Sequence, residues 1–192
     1  MAISLKKGDK VKLTKADGKA LKNVTVGLGW DMAKKKSLLG AIDCDASIFV
    51  LQNGKLQSDN DIICYARKEH KSKTILHTGD NLTGRGEGDD EQIKIRLQDV
   101  PAEYDSIVFI VTIFMAKVKK QDFGMIQNAF IRIVDNSDDT EIMRYDLTEN
   151  YAGKTAMIFG ELTRQDDGEW KFNAIGEGTD DGSISKLSKR YK

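Results

Sequence analysis

Apolar residues in this chain recur at every second position, in short runs separated by Gly, Asn and Asp. That rhythm puts alternate side chains on one face of an extended strand, whereas an amphipathic helix needs spacings of three and four. Val24, Val26 and Leu28 alternate ahead of Trp30, and Ile93, Ile95 and Leu97 alternate with Lys94 and Arg96. Each segment therefore reads as a strand with one wet face. Residues 107–115 (IVFIVTIFM) are apolar on both faces and read as a central strand. Further strands are expected over 128–134 and 141–147, and a hairpin over 156–175 turns at Asp166, Asp167 and Gly168. Only the basic tail, 183–192, has the look of a short helix. The pattern predicts an all-β chain, a two-sheet β-sandwich with few short helices. At 192 residues with no linker-like stretch or repeat, residues 1–192 read as a single domain.

Charge narrows the function. Thirty Lys and Arg balance thirty Asp and Glu, so the chain as a whole has no electrostatic attraction for nucleic acid or an anionic bilayer. No apolar run approaches the roughly 20 residues of a membrane-spanning helix, and the start alternates apolar residues with Lys instead of presenting a signal core. A cytoplasmic protein with reduced Cys44 and Cys64 is expected. The balance is not uniform. Residues 1–36 hold ten Lys against Asp9, Asp17 and Asp31, a net of +7, and read as a Lys-guarded edge strand. Residues 80–91 hold five carboxylates against Arg85, a net of −4.

That acidic stretch is the segment folding alone does not require. Residues 79–91 (GDNLTGRGEGDDE) place four glycines among five carboxylates. The donors on offer are hard oxygens: the carboxylates of Asp80, Glu87, Asp89, Asp90 and Glu91, the Asn81 amide, the Thr83 hydroxyl, and carbonyls freed by Gly84, Gly86 and Gly88. Oxygen-only sites rich in carboxylates suit Ca2+, with magnesium and manganese behind it. Glycine lets backbone carbonyls wrap an ion through dihedrals that other residues reach only with strain. Leu82 and Gly84 stand where an EF-hand would alternate Asp and Asn, so the loop is not of that type. A solvated acidic turn is the competing explanation.

A second acidic segment, 43–47 (DCDAS), enters an apolar run. On a strand, Asp43, Asp45 and Ser47 share one face and could complete a cation site. Asp31 is a weaker candidate ligand, as are Asp59 and Asp61, each of which alone reads as a turn residue. DCDAS also matches the D-x-D-x-[ST] nucleophile motif of metal-dependent phosphohydrolases, with Asp43 as nucleophile and Asp45 as acid/base. Those enzymes need alternating strands and helices, which this chain lacks. The GxGxG at Gly84, Gly86 and Gly88 lacks the GK[ST] of a phosphate loop, and its carboxylates repel phosphate unless a metal bridges them.

These segments together resemble the TerD family of tellurite-resistance and general-stress proteins. The resemblance rests on GLGWD at 27–31, DCDAS at 43–47, HTGDNLTGRGEGDDE at 77–91, FGMIQNAFIRIVD at 123–135, RYDL at 144–147, and AMIFGEL with GEWKF over 156–172. It implies a calcium-binding β-sandwich, with Asp31, Asp43, Asp45, Asp80, Asn81, Thr83, Gly84, Gly86, Glu87, Asp89, Asp90 and Glu91 in or near adjacent calcium sites. It further implies a non-catalytic role in stress response, in resistance to tellurite, chemical damage, phage or colicins. That role would run through other proteins of a stress-response complex near the membrane, with no transmembrane segment and no direct nucleic-acid binding. The alternatives are the phosphohydrolase at Asp43 and Asp45, and metal-assisted binding of a small ligand such as a cyclic nucleotide.

Overall fold

The computed structural model describes residues 2–32, 42–79 and 88–192. Along the chain these form β1 (Ile3–Leu5), β2 (Lys10–Lys12), β3 (Asn23–Met32), β4 (Cys44–Leu51), β5 (Ile62–Ile63), β6 (Ile75–His77), β7 (Glu91–Arg96) and β8 (Ser106–Ile113). After β8 come α1 (Ala116–Lys119), β9 (Ile126–Asp135), β10 (Thr140–Asp146), β11 (Ala156–Arg164), β12 (Trp170–Thr179) and α2 (Ile184–Leu187). Among the described residues the strands make two six-stranded sheets, ordered β1-β10-β9-β3-β7-β6 and β2-β12-β11-β8-β4-β5. The all-β, two-sheet architecture read from the sequence is the one observed.

Residues 2–12 act as a strap. β1 pairs with β10 at one edge of the first sheet and β2 pairs with β12 at one edge of the second, so the chain crosses from sheet to sheet at Gly8, whose φ is +88°. Both edge strands are three residues long. Short edges studded with Lys discourage pairing with another chain.

The core explains the strand pattern. Val24, Val26, Leu28 and Trp30 of β3 meet Ile107, Phe109 and Val111 of β8 and Phe159 and Phe172 of the neighbouring strands between the sheets, all buried. Strands β4 and β8 have a second buried face as well: Phe49, Leu51, Val108 and Ile110 pack with Ile158 and Leu187, beneath the C-terminal segment. The Tyr191 ring meets Phe49 edge-on at 5.4 Å. A strand covered on both sides needs apolar residues throughout, which is why 106–113 shows no alternation. The run ends earlier than its apolar letters suggest. Met115 takes a left-handed φ of 55°, which terminates the extended chain and leaves Phe114 and Met115 exposed. The tail forms α2 and one 3-10 turn, Ser188–Tyr191. Among the described residues no helix is long and apolar enough to cross a membrane.

Candidate functional site

The acidic segments meet at one end of the sandwich. Register places the end of β3 beside the starts of β7 and β9, with Leu28 opposite Glu91 and Met32 opposite Ile126. In the other sheet the start of β4 lies beside the end of β8, with Cys44 opposite Ile113. Asp31, Asp43, Asp45, Asp90 and Glu91 therefore come to one end from three segments, the end of β3 and the starts of β4 and β7.

Glu91 and His77 join the sheets there. Strand β5 covers β4 only at Ile48 and Phe49, so the backbone of Ala46 has no strand neighbour on that side. Glu91 Oε2 accepts from the Ala46 N–H at 2.6 Å, and His77 Nε2 lies 3.3 Å from the Ala46 carbonyl. The His77 Nδ1 accepts from the Gly79 N–H at 3.2 Å, which puts the ring proton on Nε2, facing the Ala46 oxygen and Glu91 Oε2, the latter also at 3.3 Å. Two side chains of the first sheet thus satisfy the open edge of the second. Both are buried.

Next to this clasp, Asp90 Oδ2 accepts from the Trp30 N–H at 2.7 Å, and the Asp90 N–H donates to the Leu28 carbonyl at 2.8 Å. Burial pushes the Asp90 carboxyl above its ordinary range; the Trp30 N–H pulls the other way, and the negative charges of Asp31 and Asp89 add to the rise. Asp31 is exposed and its Oδ2 accepts from the Asn128 amide at 2.7 Å. The Cys44 thiol, pointing into the core, is pushed well up, first by burial and then by Asp45, Asp43, Glu91 and Asp90. One thiol thus lies within the field of four carboxylates. The upward shift removes Cys44 as a nucleophile, because the thiolate is disfavoured.

On β4 the expected alternation holds. Cys44, Ala46, Ile48 and Val50 face the space between the sheets, while Phe49 and Leu51 face the second cluster. Asp45 and Ser47 share the latter face by the two-residue period, and the Ser47 hydroxyl is buried without a hydrogen-bond partner.

Asp89 goes elsewhere. Its carboxylate is gripped by Arg132, Nε to Oδ1 at 2.7 Å and Nη2 to Oδ2 at 3.0 Å, with the Gln92 amide donating to Oδ2 at 3.0 Å. Neighbours in sequence, Asp89 and Asp90 are held by different partners. The predicted ligands Asp80, Asn81, Thr83, Gly84, Gly86 and Glu87 lie outside the described residues. Among the described residues no group of three or more His, Cys, Asp or Glu side chains is arranged to hold a metal ion.

A second buried polar cluster was not read from the sequence. Asp61 Oδ1 accepts from the Tyr104 hydroxyl at 3.1 Å, lies 3.0 Å from Lys71 Nζ and 3.2 Å from His70 Nε2. Asp61 is fully buried, where a lone turn residue was expected. His70 Nδ1 accepts from the Ser72 N–H and lies 2.7 Å from the Ser72 hydroxyl. The signal was present as two charged residues and a histidine flanking short apolar strands, but only the fold brings Tyr104 to them.

Comparison with known proteins decides the family. The TerD domain model matches residues 1–191. The chain belongs to the TerD family. It is 48% identical over 201 residues to the stress response protein SCP2 of Bacillus subtilis, covering all of both chains. It is 49% identical to the tellurium resistance protein TerD of Serratia marcescens, covering all of this chain and 97% of that one. Among solved structures, a homologue of telluride resistance protein TerD from Streptomyces coelicolor A3(2) superposes with a TM-score of 0.69 at 18% identity, over 90% of this chain and 98% of that one. At that identity the likeness speaks for the TerD fold.

Proposed function

We propose that this TerD-family chain is a calcium-binding, non-catalytic interaction module of a stress response, acting in the cytoplasm through protein partners. The reading rests on the convergence of carboxylates at one end of the sandwich, where strand register and the Glu91–Ala46 hydrogen bond bring the start of β4 to the start of β7. Like charges gathered in a partly desolvated place repel, and a hard divalent cation is what neutralises them. The chemistry suits such an ion, since Asp31, Asp43, Asp45 and Asp90 all offer hard oxygens, and the ligands predicted over 80–87 would complete the set. Asp89, engaged by Arg132, is the carboxylate least free to take part. The ion would supply charge neutralisation. The role in stress or tellurium resistance is supported by the names borne by relatives.

The phosphohydrolase reading needs strands alternating with helices behind Asp43 and Asp45. In this chain β4 lies in an all-β sheet between β5 and β8, which removes that support.

The experiment is a calcium titration of chelator-stripped protein by calorimetry and by melting. A ligand that binds only the native state adds about 2.7 kcal/mol at a hundredfold excess over Kd. Asp43→Asn and Asp90→Asn are expected to weaken binding much more than Asp166→Asn, which lies in a hairpin turn. A melting temperature unmoved by calcium would remove the reading.

A further inference from the structure

Six large apolar side chains are at least two-fifths exposed among the described residues: Ile3, Tyr65, Leu76, Phe114, Met115 and Val118. The first three stand apart, which is ordinary for a soluble surface. The last three fall within five consecutive positions, at 44%, 46% and 69% exposure, and such clustering marks a contact surface.

Backbone geometry holds this cluster out. The helical turn α1 is bracketed by left-handed residues, Met115 with φ 55° and Lys120 with φ 51°. Its base is tied to β4 by the Phe114 N–H, which donates to the Asp43 carbonyl at 2.7 Å. Interleaved with the apolar side chains are Lys117, Lys119 and Lys120. None of the three enters an ion pair among the described residues, whereas Lys7, Lys12, Lys15, Lys19, Lys71 and Lys192 all do. Lys119 Nζ sits 5.3 Å from the centre of the Phe114 ring, so charge and apolar surface are side by side.

We propose that the tip formed by residues 114–120 docks on an anionic lipid surface, with Phe114, Met115 and Val118 entering the headgroup boundary and the three lysines meeting lipid phosphates. Two features favour a bilayer over a protein partner. Lysine is depleted in protein–protein interfaces, whereas at a bilayer its stem lies along apolar surface while the ammonium stays at the headgroups. The apolar side chains are also among the most exposed large ones of the described residues, which suits insertion. The whole chain is neutral, so this local, unpaired positive charge supplies the attraction that overall composition lacks. The proposal stands apart from the calcium reading.

The test is cosedimentation of the full chain with phosphatidylcholine vesicles containing or lacking phosphatidylserine, in chelator and again in millimolar calcium. Because Asp43 lies directly behind the tip, the two conditions are scored separately. The wild-type chain is expected to bind the serine-lipid vesicles in at least one condition and the neutral ones weakly. Changing Lys117, Lys119 and Lys120 together to Gln is expected to lower affinity roughly a hundredfold, about fivefold for each charge near the surface. Phe114→Ser with Val118→Ser is expected to lower it about tenfold or more, since each replaces an inserting apolar side chain. Phe114, Lys117, Val118 and Lys120 are exposed and Lys119 is half-buried, and an unaltered melting curve checks the fold. No binding by the wild-type chain in either condition, or equal binding by wild type and variants, overturns the proposal; the first result would pass the surface to an acidic protein partner. Calcium affinity from the separate titration is untouched by either result.

Discussion

Arg132 holds Asp89 through two parallel hydrogen bonds at 2.7 and 3.0 Å, and Asp89 has a side chain only 1% exposed. The pair links β9 to the turn that opens β7, across 43 residues of sequence. Breaking one partner of a buried pair strands the other charge, a loss of about 3–5 kcal/mol when burial is complete. Arg132 keeps 28% exposure, so solvent screens part of that loss. Arg132→Met is expected to cost about 2 kcal/mol in urea unfolding while leaving calcium affinity within a few-fold of wild type. Asp90→Asn should show the reverse emphasis, a large loss of calcium affinity with a smaller change in stability.

The same pair explains a glycine. A Cβ on Gly27 would lie 2.3 Å from the Asp89 carboxylate, and one on Gly29 would lie 2.3 Å from the Phe130 ring and 2.9 Å from the Gly88 carbonyl. Gly27→Ala must displace Asp89 from Arg132, and Gly29→Ala must move the aromatic ring or the backbone leading to Asp90. Overpacking of this kind costs typically 1–3 kcal/mol. Each substitution is expected to lower the unfolding free energy, read from urea melts, by an amount near the top of that range. Gly18→Ala is a control of a different kind, with open space around its Cβ but a φ of +81°; it should show only the smaller cost of a left-handed alanine.

Acid should weaken the fold first through His70. Burial pushes the His70 imidazole below its ordinary 6.5, and the neighbouring Asp61 only partly offsets this. A histidine with a lowered folded pKa leaves the unfolded chain binding more protons, so stability rises with pH across the gap. His70 contributes fully above pH 6.5 and loses that contribution as pH falls toward its folded value. Asp61 has the same sign at lower pH: burial raises its carboxyl, but Lys71 and His70 outweigh burial and hold it below 3.8. Its contribution is present above pH 3.8 and is lost on further acidification. Urea midpoints measured between neutral pH and about pH 5 should fall for wild type and fall less steeply for His70→Gln. Parallel slopes for the two proteins would show that His70 does not titrate in this window.

How much of this could be read in the letters depends on whether the cause lies along the strand or across it. The doubly apolar run 107–113 declares a central strand because both of its faces are buried by the same chain, and the alternation in β7 declares one buried face. Asp45 and Ser47 were legible as one face because strand period is local, while Asp43 precedes β4. The fate of Asp89 was not, because its partner Arg132 arrives from β9 through sheet pairing. Gly27 and Gly29 leave room for groups from other strands, a role that no local pattern in the sequence marks. Phe114 and Met115 looked like strand because their side chains are apolar; the left-handed φ at Met115 that turns them outward has no compositional mark.

The clasp at Ala46 offers a separate test of what closes the acidic end. On the open side of β4 the Ala46 N–H and carbonyl meet Glu91 and His77, and both of those side chains are buried. His77→Phe keeps the ring volume but leaves a buried carbonyl short of a donor, at a cost of about 1–3 kcal/mol. Glu91→Leu strands the Ala46 N–H and removes one negative charge from the cluster around Cys44. The two variants should therefore lose similar stability yet part company in thiol chemistry. Burial is the larger influence on Cys44 and persists in both, so labelling of Cys44 should stay slow near neutral pH. Removing the Glu91 charge should nonetheless shift its labelling profile to lower pH, an effect His77→Phe lacks. Identical pH profiles for the two variants would show that Glu91 does not act electrostatically on Cys44 and that the clasp is purely structural.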